Sequence, residues 1–125
     1  MQDFRKLTVW HSSQDLAVNV YRATRGFPNN ELYGLTSQMR RSAVSIGSNI
    51  AEACGRDGPA DFVRFLHFAI GSVSELLSQV DIADRLLFLT HEQSTDLLMK
   101  AIAVKKQLIR LRESANQRRI SQREA

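Results

Sequence analysis

Residues 37–56, SQMRRSAVSIGSNIAEACGR, carry the densest run of chemically capable side chains in the sequence. At helical spacing they separate into two rows. Leu35, Met39, Ala43, Ile46, Ile50 and Ala53 form an apolar row, and Gln38, Ser42, Ser45, Asn49, Glu52 and Arg56 form a polar one about 100° further round. Such a polar row either binds a ligand or satisfies the polar groups of a neighbouring helix. If this helix and the next form an antiparallel hairpin turning near residue 57, facing residues have numbers that sum to about 114. Gln38 and Arg41 then meet Ser72 and Glu75. Glu52 also stands four residues before Arg56, the favourable order for an ion pair within a helix. The row therefore reads as a seam that fixes helix register, built from Gln38, Arg41, Ser45, Asn49, Glu52, Arg56, Ser72 and Glu75. A ligand or nucleic-acid site on the same row is the alternative.

The second candidate chemistry is phosphate binding. Residues 100–125 carry eight Lys or Arg against Glu113 and Glu124, so this end is +6 while residues 1–99 are −2. Lys105, Lys106, Arg110, Arg112, Arg118, Arg119 and Arg123 are the candidate contacts to RNA or DNA. No aromatic residue follows Phe88, so binding here lacks a stacking platform and is expected to tolerate sequence and weaken with salt. A solvated basic helix end that complements the helix dipole is the competing reading.

Catalytic and metal chemistry find no support. None of Glu31, Glu52, Glu75, Glu92 or Glu113 has a histidine three residues on, as a di-metal bundle requires. His11 and Asp15 share a helix face, but His67 and His91 lie on other segments without matched ligands, so all read as surface residues. There is no nucleophile elbow, Walker loop or Gly-x-Gly-x-x-Gly run. Cys54 is the single cysteine and sits among Ile50, Ala51 and Ala53 as a small core residue. The chain is expected to be no enzyme and to need no cofactor or metal.

The elements that position these residues are all helical. Apolar side chains recur at helical spacing over 8–25, 31–55, 59–88 and 91–113, with Asn30 as the expected cap of the second helix. Gly58 and Pro59 start the third, and the capping box Thr90–Gln93 starts the fourth. The small residues Ala43, Val44, Gly47 and Ala51 invite a neighbouring helix to approach closely. Short turns and the absence of strand-like alternation give an all-α, up-down-up-down antiparallel four-helix bundle as one domain over 1–113. Residues 114–125, whose only large apolar side chain is Ile120, read as a disordered, frayed basic tail. The opening MQDFRKLTVW lacks a signal-peptide core and no apolar run reaches membrane-spanning length, so a cytoplasmic protein with no membrane partner is expected. The third helix, with Phe62, Val63, Phe65, Leu66, Phe68, Ala69, Ile70 and Val73, carries more apolar surface than one core hides, which predicts self-association.

SQMRRSAVSIGSNIAEACGR followed by DFVRFLHFAIGSVSEL resembles the paired signature of the four-helix-bundle family of 23S rRNA-intervening-sequence proteins. The likeness runs from about Phe4 to the end of the third helix. Gln38, Arg40, Arg41, Ser45, Ile46, Asn49, Ile50, Ala51, Glu52 and Arg56 match the first motif, and Phe62, Arg64, Phe65, Leu66, Ala69, Gly71, Ser72, Glu75 and Leu76 the second. Gly47, Ala53 and Gly58 depart from the family's usual proline, glycine and serine or threonine. The resemblance implies a helical bundle that assembles into a homopentamer. It is similar to the accessory proteins of diversity-generating retroelements, which bind nucleic acid through a positive surface, and it implies no catalytic residue. An adaptor ring that presents its surfaces to a protein partner is the alternative function.

Overall fold

The structure, a computed structural model, describes residues 2–124. Four helices account for most of it: α1 (Thr8–Thr24), α2 (Leu35–Cys54), α3 (Pro59–Arg85) and α4 (His91–Glu124). Short 3-10 turns at Phe4–Lys6 and Asn29–Glu31 precede α1 and α2. Each helix packs on its two neighbours in the cyclic order α1, α2, α3, α4, and α4 closes back on α1. Side-chain contacts fix the directions. Arg40 bonds Thr24 while Gly47 abuts Ser13, and Glu75 meets Ser42 while Ser72 meets Ser45. Asp84 meets Ser94 while His67 meets Arg112. In every pair one residue number rises as the other falls, so the bundle runs up, down, up, down.

The core follows the apolar rows. Leu16, Val20, Met39, Ile46, Ile50, Leu66, Val73, Leu76, Val80 and Leu108 are essentially inaccessible to solvent, each stabilising the fold by about 1.5–3 kcal/mol. Cys54 joins them as a buried thiol, and burial raises its pKa. The carbonyl of Cys54 accepts the Gln2 N–H at 2.9 Å, which pins the N-terminal segment to the end of α2. Gly47 has the packing role its position suggests. A methyl group there would run into Gln14 Oε1 and stand 3.1 Å from the buried Ser13 hydroxyl, because α1 passes close at this point.

Three element ends differ by three residues or more from those the sequence predicts. The second helix begins at Leu35 rather than 31, and Asn30 does not cap it. Asn29–Glu31 turns as a 3-10 segment, and the Glu31 carboxylate accepts the Leu35 N–H at 3.0 Å. The third helix ends at Arg85 rather than 88, where the chain passes into a left-handed residue. The fourth continues to Glu124, so residues 114–124 are helical where the sequence predicts a disordered tail from 114. The reason is lateral support. The facing pair His67 and Arg112 has numbers that sum to 179, which sets position 120 level with Pro59 at the start of α3. Ala115 is buried as a result.

The apolar abundance of α3 is largely absorbed within the chain. Phe62, Leu66, Ala69, Ile70 and Val73 are buried, Val63 and Phe65 are half-buried, and Phe68, at 44%, is exposed, as is Ile82 near the end of the helix. With α2 on one side and α4 on the other, two neighbours cover a wide arc of the helix. Among the described residues no helix is long and apolar enough to cross a membrane.

Candidate functional site

The polar row of α2 lies along its junction with α3. Ser45 Oγ and Ser72 Oγ are 3.0 Å apart, and Ser42 Oγ donates to Glu75 Oε2 at 3.5 Å. Asn49 Nδ2 donates back to the Ser45 carbonyl and hydroxyl at 2.9 and 3.1 Å. Glu52 and Arg56 form their intrahelical pair at 2.9 Å. Gln38 and Arg41 stay exposed and do not bond Ser72 or Glu75; Ser45 and Ser42 take those places.

Both interhelical pairs have numbers that sum to 117 rather than about 114. Helical side chains lean toward their own N-terminus, so a given height is covered by a residue about one position further on in each helix. In an antiparallel hairpin the two leans add, which moves the sum by about two. The row is also wetter than a core seam. Ser42 and Ser72 are buried, Ser45 and Asn49 are half-buried, and Gln38, Arg41, Glu52, Arg56 and Glu75 face solvent. A shallow groove runs beside it between Asn49, Phe68, Ser72 and Glu75, with His67 and Gly71 on its far lip.

The seven basic candidates do not form one patch. Lys105, Arg112 and Arg119 are spaced by seven, which keeps them in line on a helix with about 20° drift per step. All three have half-buried stems, and Arg112 Nη1 lies 3.5 Å from His67 Nδ1, which places this row on the α3 side of α4. Arg123 continues the row one turn later and is exposed. Arg110 lies on the other flank, in a cleft with Leu7, Thr8 and Val9 at the start of α1. Arg118 is two turns further along that flank, and Lys106 faces outward between the rows; both are exposed.

Their shared property is electrostatic. The five ion pairs among the described residues use Arg5, Arg56, Arg64, Arg85 and Lys100, and none uses a cation between 105 and 123. Arg119 donates only to the neutral Asn116 Oδ1 at 3.2 Å. Along the row, each step of seven residues advances about 10.5 Å, close to the axial rise of three base pairs of a duplex at about 3.4 Å each. Half-buried stems limit the rotamers of the charged heads before any ligand arrives.

Sequence reasoning missed the aromatic groups that α3 brings near. Phe65 and Phe68 stack edge to face at 5.4 Å, with Arg56 at 4.6 Å and Arg64 at 5.0 Å over the Phe65 ring. They lie on the α2 side of α3, and His67, in the same groove, reaches across to Arg112. The absence of aromatics after Phe88 conceals this, because the partner comes from a helix some 45 residues earlier. No cluster of three or more His, Cys, Asp or Glu that could hold a metal ion occurs among the described residues.

Comparison with known proteins agrees with the fold. The sequence model of the family described as 23S rRNA-intervening sequence protein matches residues 5–110. A crystal structure from Bacteroides thetaiotaomicron, described as a protein with unknown function from the S23 ribosomal protein family, is similar with a TM-score of 0.78 and 26% identity. The match covers 84% of this chain and 95% of that one. No curated protein matches the chain.

Proposed function

The chain belongs to the 23S rRNA-intervening sequence protein family, and from that premise we propose that it is a non-catalytic, self-assembling bundle that binds RNA or DNA by sequence-tolerant phosphate contacts. The observation that carries this reading is the line of Lys105, Arg112 and Arg119, prolonged by Arg123, in which no cation has a carboxylate partner among the described residues. Unpaired cations on a rigid helix keep their full attraction for phosphate, whereas paired ones must first give up a carboxylate. Arg110, Arg118 and Lys106 add field without sharing the row.

Assembly multiplies the effect. Five copies, the number the family resemblance implies, repeat the row around one particle and raise affinity through simultaneous contacts. In this reading the protein works in the cytoplasm, where its single thiol stays reduced. The polar row on α2 and α3 keeps a structural role, since its groups are engaged with one another. Titration of labelled RNA and DNA at low and high salt, with the particle mass measured alongside, tests the proposal. Binding at low salt that fades as salt rises supports it. Absence of binding at low salt favours an adaptor ring for a protein partner.

A further inference from the structure

Leu87 is the only described residue other than glycine with a positive φ, 61°. It closes α3. Its N–H donates to the Asp84 carbonyl at 3.0 Å and the Phe88 N–H donates to the Ala83 carbonyl at 2.9 Å, the paired bonds that end a helix through a left-handed residue. Glycine suits this position, because the Cβ of any other L-residue crowds the following carbonyl. Leucine has no compensating contact inside the chain. It is 87% exposed, with Leu86 beside it at 52% and Ile82 at 45%. A strained apolar tip facing solvent carries two costs and no benefit for an isolated molecule.

At the same end of the bundle, on its α1–α2 face, a cleft of about 450 Å³ is lined by Tyr21, Leu32, Tyr33 and Val44 and edged by Arg40 and Arg41, with no carboxylate in its lining. Arg40 stacks over the Tyr21 ring at 4.6 Å and donates to Thr24 Oγ1 at 3.0 Å, which holds one wall in place. Tyr33 is 94% exposed. Residues 81–100, around the leucine tip, carry Asp81, Asp84, Glu92 and Asp96 against Arg85 and Lys100.

We propose that Leu87, with Leu86, is a knob that seats in the α1–α2 cleft of a second copy of the chain. This rests on the self-assembly reading above and names the surfaces that would make it. Knob and cleft are different surfaces of the chain, so each copy gives one and receives one, the head-to-tail contact that builds rings when its rotation closes. An acidic corner meeting an arginine-edged cleft adds charge complementarity, and the tyrosines and arginines of the cleft are the residue types that carry most of the energy at interfaces.

A mixing experiment read by sedimentation mass tests it. Leu86→Asp with Leu87→Asp spoils the knob and keeps the cleft, while Tyr33→Asp with Val44→Asp spoils the cleft and keeps the knob. Each variant alone is expected at the monomer mass of 14.1 kDa, and their equimolar mixture at twice that mass, because one intact knob meets one intact cleft. Leu87→Gly controls for misfolding. In the cleft variant it raises the melting temperature, and in the parent it moves the assembly midpoint to about tenfold higher concentration or more. A parent that is monomeric at micromolar concentration overturns self-assembly and this contact with it. A parent that assembles, with Leu87→Gly and the knob variant assembling equally well, overturns the knob-in-cleft contact alone.

Discussion

The Ser45 and Ser72 hydroxyls face each other at 3.0 Å across the junction of α2 and α3, and one turn away Ser42 reaches Glu75. This pair of contacts holds a single register between the two longest-packed neighbours in the fold. Ser72 is buried and also donates to the Phe68 carbonyl at 3.2 Å, so the two hydroxyls share a short network. Ser45→Ala and Ser72→Ala should each destabilise by about 1 kcal/mol, and the double variant by less than their sum. Urea unfolding of the three variants checks this; full additivity would show that the hydroxyls do not act together.

Gly47 separates two opposing effects. Alanine is about 1 kcal/mol better than glycine inside a helix, yet the new methyl would press on Gln14 and on the Ser13 hydroxyl. Gln14 is exposed and can swing away, whereas Ser13 is buried and bonded to the Trp10 carbonyl at 2.6 Å. Gly47→Ala should therefore stabilise a Ser13→Ala background more than it stabilises the parent. Equal effects in both backgrounds would remove Ser13 as the constraint.

Local signals were legible in the sequence and lateral ones were not. The capping box is complete within four residues, and the structure shows both of its bonds, Gln93 N–H to Thr90 Oγ1 at 3.1 Å and Thr90 N–H to Gln93 Oε1 at 2.9 Å. Pro59 starts α3 as its backbone predisposes it to. Ser42–Glu75 and Ser45–Ser72 join α2 to α3 with numbers that sum to three more than helical rise alone predicts, because register depends on side-chain lean as well. The end of α4 was missed for a related reason. Its support comes from the first turns of α3, which apolar content within 114–124 does not reveal. The division of the basic residues into two rows follows from which neighbour each flank of α4 meets, and that is decided by the closure of α4 onto α1.

Thr90 carries the start of α4. Thr90→Ala removes the acceptor for the Gln93 N–H and should destabilise by about 0.5–2 kcal/mol, while Thr90→Ser should be close to neutral. Thermal melts of both variants check the hydroxyl directly, and an equal loss for Ser and Ala would assign the effect to the methyl group instead.

Cys54 gives stability a pH dependence of known sign. Burial raises its thiol pKa in the folded chain above that in the unfolded chain, so the unfolded state loses its proton first as pH increases. The contribution is fully present below about pH 8.5, the ordinary thiol value, and is lost as pH rises through that range toward the higher folded value. Unfolding free energy should fall more steeply there for the parent than for Cys54→Ala. Parallel profiles would contradict a shifted thiol.

Phosphate binding by the row on α4 is the central claim, and its most direct measurement is the salt dependence of nucleic-acid affinity for the parent and for Lys105→Gln/Arg112→Gln/Arg119→Gln, each at matched assembly mass. Every phosphate contact adds about 0.7–0.9 to the slope of log affinity against log salt, so the triple variant should lose about 2–3 units of slope and bind more weakly to all sequences alike. A parent that binds with the same slope and affinity as the triple variant would contradict the account.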